Sequence, residues 1–230
     1  MPYQAVLFDL DHTLWDYETN SREALHDLYH RYHLPTKTKS GFDDFYDSFV
    51  DVNTRIWHRY DRGEISRDVI RYERFHQVFK RVGIDHYELS LKFSQDYVTE
   101  SPSRSHLMPH AKDVLAYLHG KYKLYIITNG FNEIEATKLN ASGISSFFER
   151  VVTSETAGCK KPSPEIFQLA LNHAGAASAE AIMIGDNLLT DMAGARQARI
   201  DTVFFNPYQT AHRESVTHEI KSLHELMHIL

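Results

Sequence analysis

The stretch Val6-Leu7-Phe8-Asp9-Leu10-Asp11-His12-Thr13-Leu14 places the tightest limit on what this chain can become. From Tyr3 to Phe8 the sequence is almost continuously apolar, and it then ends abruptly in two carboxylates. A short apolar run with polar borders reads as a central strand of a parallel sheet whose two faces are covered by helices. Ligands of such sheets bind beyond the carboxyl ends of the strands, so Asp9 and Asp11 fall where the chemistry of an α/β protein is expected. Two carboxylates that close must be separated in role by their surroundings or neutralised by a cation. A divalent metal is the economical answer.

After Trp15 the pattern changes. From Thr19 to about Glu100 the residues are aromatic-rich, charged and periodic at helical spacing. Ala24, Leu25, Leu28 and Tyr32 mark one helix face, and Phe42, Phe45, Phe49, Val52, Ile56 and Tyr60 mark a second. A third helix is predicted from Ser66, whose hydroxyl can cap it, to Val82 before Gly83, and a fourth over Tyr87 to Val98. Ser101 to Ser105 reads as a linker, and Pro109 opens a helix containing Val114, Leu115 and Leu118. From Lys121 onward strands and helices alternate, with Leu124 to Thr128, Val151 to Ser154, Ala181 to Ile184 and Thr202 to Phe205 as strands. That order predicts a doubly wound parallel α/β sheet beginning with Gln4 to Phe8, interrupted by a helical insert.

A chain of 230 residues, 42% hydrophobic, can bury a full core beside such an insert. With 31 acidic against 25 basic residues and a formal charge of -6, it lacks the positive field that a nucleic-acid polymer requires. The N-terminus shows no signal-like segment and no apolar run reaches spanning length, so a cytoplasmic protein without a membrane partner is expected. Cys159, the single cysteine, excludes an internal disulfide.

Three further clusters also sit at predicted strand ends. Thr128-Asn129-Gly130 can offer side-chain and backbone donors to an anion, although such a trio also makes an ordinary turn. Lys160-Lys161-Pro162 delivers a mobile positive charge suited to phosphate just before a helix, or else forms a solvated surface loop. Gly185-Asp186-Asn187-Leu188-Leu189-Thr190-Asp191 ends another strand in carboxylates, of which Asp191 could merely cap the next helix.

In order, spacing and strand-end placement these clusters, together with Asp9-Leu10-Asp11-His12-Thr13, resemble the motif set of the haloacid dehalogenase-like superfamily. The resemblance spans residues 4 to 206. It implies a Rossmann-like core formed by residues 1–15 and 106–230, with residues 16–105 as a helical cap domain. Members carrying Asp-x-Asp are phosphatases or phosphomutases, whereas dehalogenases lack the second acid, so Asp11 implies phosphoryl transfer. By the same resemblance Asp9 is the nucleophile that forms an aspartyl-phosphate, and Asp11 protonates the leaving oxygen and later activates water. Thr128 and Asn129 would hold phosphoryl oxygens, and Lys161 would neutralise both the phosphoryl group and the nucleophile. Asp186 would ligate Mg²⁺ alongside the Asp9 carboxylate and the Asp11 backbone carbonyl, and Asp191 would orient that shell. Electrostatics agrees, because a phosphomonoester of charge about -2 cannot enter a pocket of carboxylates unless cations offset them. All proposed ligands are hard oxygens, which favours magnesium over zinc.

His224-Glu225-Leu226-Met227-His228 matches the H-E-x-x-H pattern of zinc proteases. Only Ile229 and Leu230 follow, so no third ligand lies downstream, and 15 histidines make such pairs easy to meet by chance. A packed terminal helix on Leu223, Leu226 and Leu230 is the expectation. His12 occupies a variable position of the first motif and is a candidate substrate contact.

Substrate choice falls to the cap in this superfamily. Asn53 to Ile65, with Ile127 to Phe131 and Asp201 to Pro207, resembles the YjjG-type group of bacterial nucleotidases. That implies a pyrimidine nucleoside monophosphate as substrate, with Trp57 as the candidate to stack on the base. Another small phosphorylated metabolite (phosphoglycolate, a sugar phosphate or a flavin mononucleotide) is the alternative, and a catalytically idle binding module with the same fold is the remote one. The sequence leaves the oligomeric state open.

Overall fold

The computed structural model describes residues 3–230. The chain separates into two compact units, one ending at Tyr17 and resuming at Ser105–Leu230, the other Glu18–Arg104.

The first unit is built on a six-stranded sheet in which every pairing is parallel, in the order β3-β2-β1-β4-β5-β6. The strands are β1 (Ala5–Phe8), β2 (Lys123–Thr128), β3 (Arg150–Thr153), β4 (Ala181–Gly185), β5 (Asp201–Phe205) and β6 (His218–Ile220). The period-2 alternation of a strand explains why the central runs are apolar throughout. Val6, Phe8, Leu124, Ile126, Ile182, Ile184, Val203 and Phe205 share one buried cluster with Val114, Leu115, Leu118 and Leu139. Ala5, Leu7, Tyr125, Ile127, Met183 and Phe204 face the other cluster, with Ile166, Phe167, Ala170 and Leu171. Both faces are therefore covered, as β1 demanded. The chain reverses its direction of strand addition at β1, where β2 lies on one side and β4 on the other. The crevice beyond this switch point is the preferred ligand position of an open α/β sheet.

Several local expectations shift. Strand β6 was not foreseen; it is three residues long, pairs Phe205 with Ile220, and exposes His218 and Glu219 at the sheet edge. The terminal segment is a 3-10 turn, Leu223–Glu225, followed by only Leu226–Ile229 in α-helix, although Leu223, Leu226 and Leu230 do pack into the core. The helix after the linker starts at Ala111 rather than at Pro109, because His110 before it takes a left-handed conformation.

The second unit is helical, with α1 (Tyr17–Arg31), α2 (Phe42–Asp61), α3 (Arg67–Arg81) and α4 (Tyr87–Glu100). Its interior is a stack of rings. Phe45, Phe49, Phe75, Phe79, Phe93 and Tyr97 are buried, and the centroids of Phe75 and Phe93 lie 4.9 Å apart. Such tilted and edge-on pairs add attraction beyond their area burial. Helix α3 ends as predicted at a left-handed Gly83, but Ser66 does not cap it through its hydroxyl; its carbonyl accepts instead from Val69 N–H at 3.2 Å. No helix among the described residues is long and apolar enough to cross a membrane.

Candidate active site

The site forms where β1, β2 and β4 end. Asp9 follows β1 directly, and its N–H still donates to the carbonyl of Ile184 on β4 at 2.9 Å. Thr128 closes β2, and Asp186 follows Gly185 at the end of β4. Residues distant in sequence thus meet because parallel strands place all their carboxyl ends on one edge.

Lys161 comes in from the loop before the next helix (Pro164–Ala174) and is almost wholly buried. Its Nζ donates to Asp9 Oδ1 at 2.5 Å and to the Ile127 carbonyl at 2.8 Å, and lies 2.7 Å from Asp191 Oδ1. All three ammonium hydrogens are therefore directed at acceptors. Lys160 is only half-buried, so burial separates the two neighbouring lysines. Asn129 fastens this loop: its Oδ1 accepts from Lys161 N–H at 2.7 Å and its Nδ2 donates to the Lys161 carbonyl at 3.1 Å. The side chain of Asn129 is thereby turned to the lysine loop. Thr128 Oγ1 accepts from Gly130 N–H at 2.9 Å.

Asp9, Asp186 and Asp191 each bring a carboxylate oxygen within 4.8 Å of the others. Thr13 Oγ1 donates to Asp186 Oδ1 at 3.2 Å. Asp191 lies in a π-helical turn, Leu188–Met192, whose cap is Asn187, with Oδ1 accepting from Leu189 N–H at 2.9 Å and Thr190 N–H at 3.1 Å. Asn187 thus caps the turn, while Asp191 Oδ2 accepts from the Asn187 N–H at 3.2 Å and Asp191 Oδ1 faces Lys161. Burial pushes the Asp9 carboxyl well above the usual carboxylate range, opposed by Lys161 and reinforced by Asp191 and Asp186. Burial also raises Asp186, to about 6, with the Asp191 charge adding to it. For Lys161 burial works against the charge, yet Asp191 and Asp9 hold it above its ordinary value. Three carboxylates against one lysine leave negative charge that a hard divalent cation fits, and an all-oxygen donor set suits magnesium.

The Asp11 carboxylate belongs to a different set. Both of its oxygens accept from Lys138 Nζ at 2.7 Å, and Lys138 also donates to Glu135 Oε1 at 2.8 Å. The two acids of the Asp-x-Asp pair therefore have separate buried lysines, which is the separation of environment that two neighbouring carboxylates need. Sequence reasoning missed Glu135 and Lys138, since a Glu/Lys pair three apart on a helix reads as a surface ion pair. The available signal was the stripe Phe131, Glu135, Lys138, Leu139, whose spacing puts both charges on the buried face of the helix Asn132–Ala141.

His12 is exposed in a left-handed conformation, and its ring lies 4.9 Å from that of Tyr17. Trp57 is half-buried on α2, edge-on to Tyr60 at 5.5 Å. Glu225 of the H-E-x-x-H segment accepts from the N–H groups of Lys221 and Ser222 at 2.8 and 2.9 Å, so its carboxylate serves the turn.

The chain is 30% identical over 231 residues to the HAD-hydrolase YfnB of Bacillus subtilis, a match covering 99% of this chain and 95% of that protein. The crystal structure of YfnB bound to magnesium superposes with a TM-score of 0.87 at 28% identity, covering 100% of this chain and 99% of that one. The pyrimidine 5'-nucleotidase PynA of Streptococcus pneumoniae is 29% identical, over 100% of this chain and 96% of its own. The pyrimidine 5'-nucleotidase YjjG of Escherichia coli is 28% identical, over 100% and 99%. The family model for haloacid dehalogenase-like hydrolases matches residues 3–199, and the chain belongs to that family.

Proposed function

We propose that this hydrolase removes phosphate from pyrimidine nucleoside monophosphates through an aspartyl-phosphate on Asp9. The observation that carries the reading is the pairing of a buried Asp9 with Lys161, at 2.5 Å, beside Asp186 and Asp191. An Asp9 oxygen attacks phosphorus while the bond from phosphorus to the ester oxygen breaks. The leaving oxygen keeps the electron pair and takes a proton from Asp11. Water then attacks the phosphorus of the acyl phosphate and gives a proton to the Asp11 carboxylate. The bond to Asp9 breaks, releasing inorganic phosphate. Lys161, Thr128 and Asn129, the last two partly through backbone donors, hold the transferring group, and Lys161 offsets its charge. Asp9, Asp186 and the Asp11 carbonyl would hold Mg²⁺, with Asp191 orienting that shell, and the ion would supply positive charge to offset the transferring group.

Substrate choice in this reading rests on the helical unit as a cap, with Trp57 as the stacking candidate. Support for a pyrimidine nucleotide comes from the full-length likeness to PynA and YjjG, both pyrimidine 5'-nucleotidases. The test is a Mg²⁺-supplemented panel of uridine and cytidine monophosphates, phosphoglycolate, a hexose phosphate and flavin mononucleotide. The pyrimidine nucleotides should exceed the rest in kcat/KM by about tenfold or more, the discrimination that a few pocket contacts supply. Faster hydrolysis of phosphoglycolate, the hexose phosphate or the flavin mononucleotide would replace the nucleotidase reading with that metabolite. No hydrolysis of any would leave an idle binding module.

A further inference from the structure

We propose that Lys138 is a positioning residue for phosphoryl transfer: it holds the Asp11 carboxyl in the one orientation from which the leaving oxygen can be protonated. The inference rests on the reading of Asp11 as the group that protonates that oxygen.

Lys138 is almost completely buried, and its ammonium has three acceptors within 2.8 Å, both oxygens of Asp11 and one of Glu135. The indole of Trp15 lies 4.9 Å from the same nitrogen and closes it off on another side. Asp11 keeps part of its side chain in solvent, 30% exposed, whereas Lys138 and Glu135 keep 6% and 1%. The triad is thus anchored inside and open only at Asp11. A carboxyl gripped in this way cannot rotate freely about its own bond. Both of its oxygens are held on the ammonium, and the 30% of the side chain that stays exposed is the part a leaving oxygen can meet.

Glu135 is what keeps the lysine in place. It lies on the same helix three residues earlier and is fully buried, so its carboxylate has no route to solvent. Room for it exists only because position 130 is a glycine, where a β-carbon would stand 2.4 Å from Glu135 Oε1. The Thr128-Asn129-Gly130 turn and the Asp-x-Asp loop are therefore joined by one continuous chain of contacts, Gly130 to Glu135 to Lys138 to Asp11. Buried ion clusters are poor devices for stability, since well-packed apolar side chains do as well or better. Their value lies in fixing geometry, and here the fixed group is Asp11.

The test compares kcat/KM for benzyl, phenyl and p-nitrophenyl phosphates in the Mg²⁺-loaded enzyme. These esters are similar in size but differ in how much their leaving oxygen needs a proton, most for benzyl and least for p-nitrophenyl. kcat/KM reports only as far as the first irreversible step, the loss of that oxygen. Lys138→Met should depress the benzyl ester at least tenfold more than the p-nitrophenyl ester, a portion of the about 10²- to 10⁴-fold that a positioned acid contributes. Lys138→Arg, which can grip a carboxylate with two donors, should recover most of the benzyl activity. Should Lys138→Met fail to fold because Glu135 has lost its cation, the double variant Glu135→Gln with Lys138→Met is read in the same way. Equal losses on all three esters would overturn the proposal. Asp11→Asn separates the two levels of the argument: a graded loss there together with an ungraded one at Lys138 sinks only the positioning role, and an ungraded loss at Asp11 sinks both.

Discussion

Gly185 and Asp191 stand so close that a β-carbon on the glycine would lie 2.3 Å from Asp191 Oδ2. Gly185 does not adopt a left-handed conformation, so the position requires space and not backbone freedom. The absent side chain lets the π-helical turn fold back over the end of β4 and hand Asp191 to Lys161. Gly185→Ala should displace Asp191 and cost about 1–3 kcal/mol, as overpacking of a filled interior does. Denaturant unfolding measures the loss, and hydrolysis should fall further than stability alone explains at a temperature where the variant is folded. Unchanged stability would show that the turn adapts.

Asp9→Asn should lower turnover by about a thousandfold or more, the scale on which removal of a nucleophile acts. The amide keeps the shape and still offers Lys161 an oxygen, so the fold should survive and circular dichroism should be unchanged. Chelation of Mg²⁺ should abolish activity in the unaltered enzyme, and readdition should restore it. Near-normal rates in pure, folded Asp9→Asn, or activity that ignores chelation, would refute the aspartyl-phosphate route.

Alkaline pH offers a test independent of catalysis. Burial, and then a hydrogen bond to Asp201 at 2.6 Å, pushes the Tyr3 hydroxyl up to about 12. Burial and Asp96, at 2.8 Å, do the same to Tyr32 in the helical unit. An unfolded tyrosine releases its proton near about 10. Below that pH both states keep the proton and the stabilisation is complete. From about 10 to 12 the unfolded chain releases its proton first, so stability falls as pH rises through this window. Tyr3→Phe and Tyr32→Phe should each flatten the fall in the urea midpoint over that range. A slope identical to that of the parent would show that these hydroxyls titrate alike in both states.

The parts of the fold legible in the sequence were those with a strong period and a hard stop. The β1 run ending at Asp9 and the β4 run ending at Asp186 carry their own boundaries, because a continuously apolar segment stops abruptly at a carboxylate. Strand β6 carries none: His218 and Glu219 are exposed edge residues, and only Ile220 is buried. The Leu223 to Leu230 spacing marks burial correctly but cannot tell a full helix from a turn plus one short coil of helix, since both bury the same leucines. In the site, Asp9, Lys161 and Asp186 were readable from their motifs. Glu135 and Lys138 were not: the stripe they share with Phe131 and Leu139 hints at burial, but what they bind depends on the glycine at 130 and on where Asp11 points, which are tertiary facts. Asn187 caps the turn that presents Asp191, a role that its place in the motif does not reveal.

Substrate choice is the remaining step, and Trp57 is where it can be decided. The rings that build the helical unit, Phe45, Phe49, Phe75, Phe79, Phe93 and Tyr97, are buried, whereas Trp57 is only half-buried and meets Tyr60 edge-on at 87°. An indole so placed has surface left to offer. If it packs on a pyrimidine, Trp57→Ala should remove about 1–3 kcal/mol of binding, as loss of a base-stacking aromatic does. KM for uridine monophosphate should then rise far more than KM for p-nitrophenyl phosphate, whose small ring needs no such platform. If the indole serves only to pack the helical unit, stability should drop and both substrates should lose alike. The ratio of the two kcat/KM values, taken at a temperature where the variant is folded, separates these outcomes. An equal loss would remove Trp57 from substrate recognition and leave the chemistry at Asp9 as it stands.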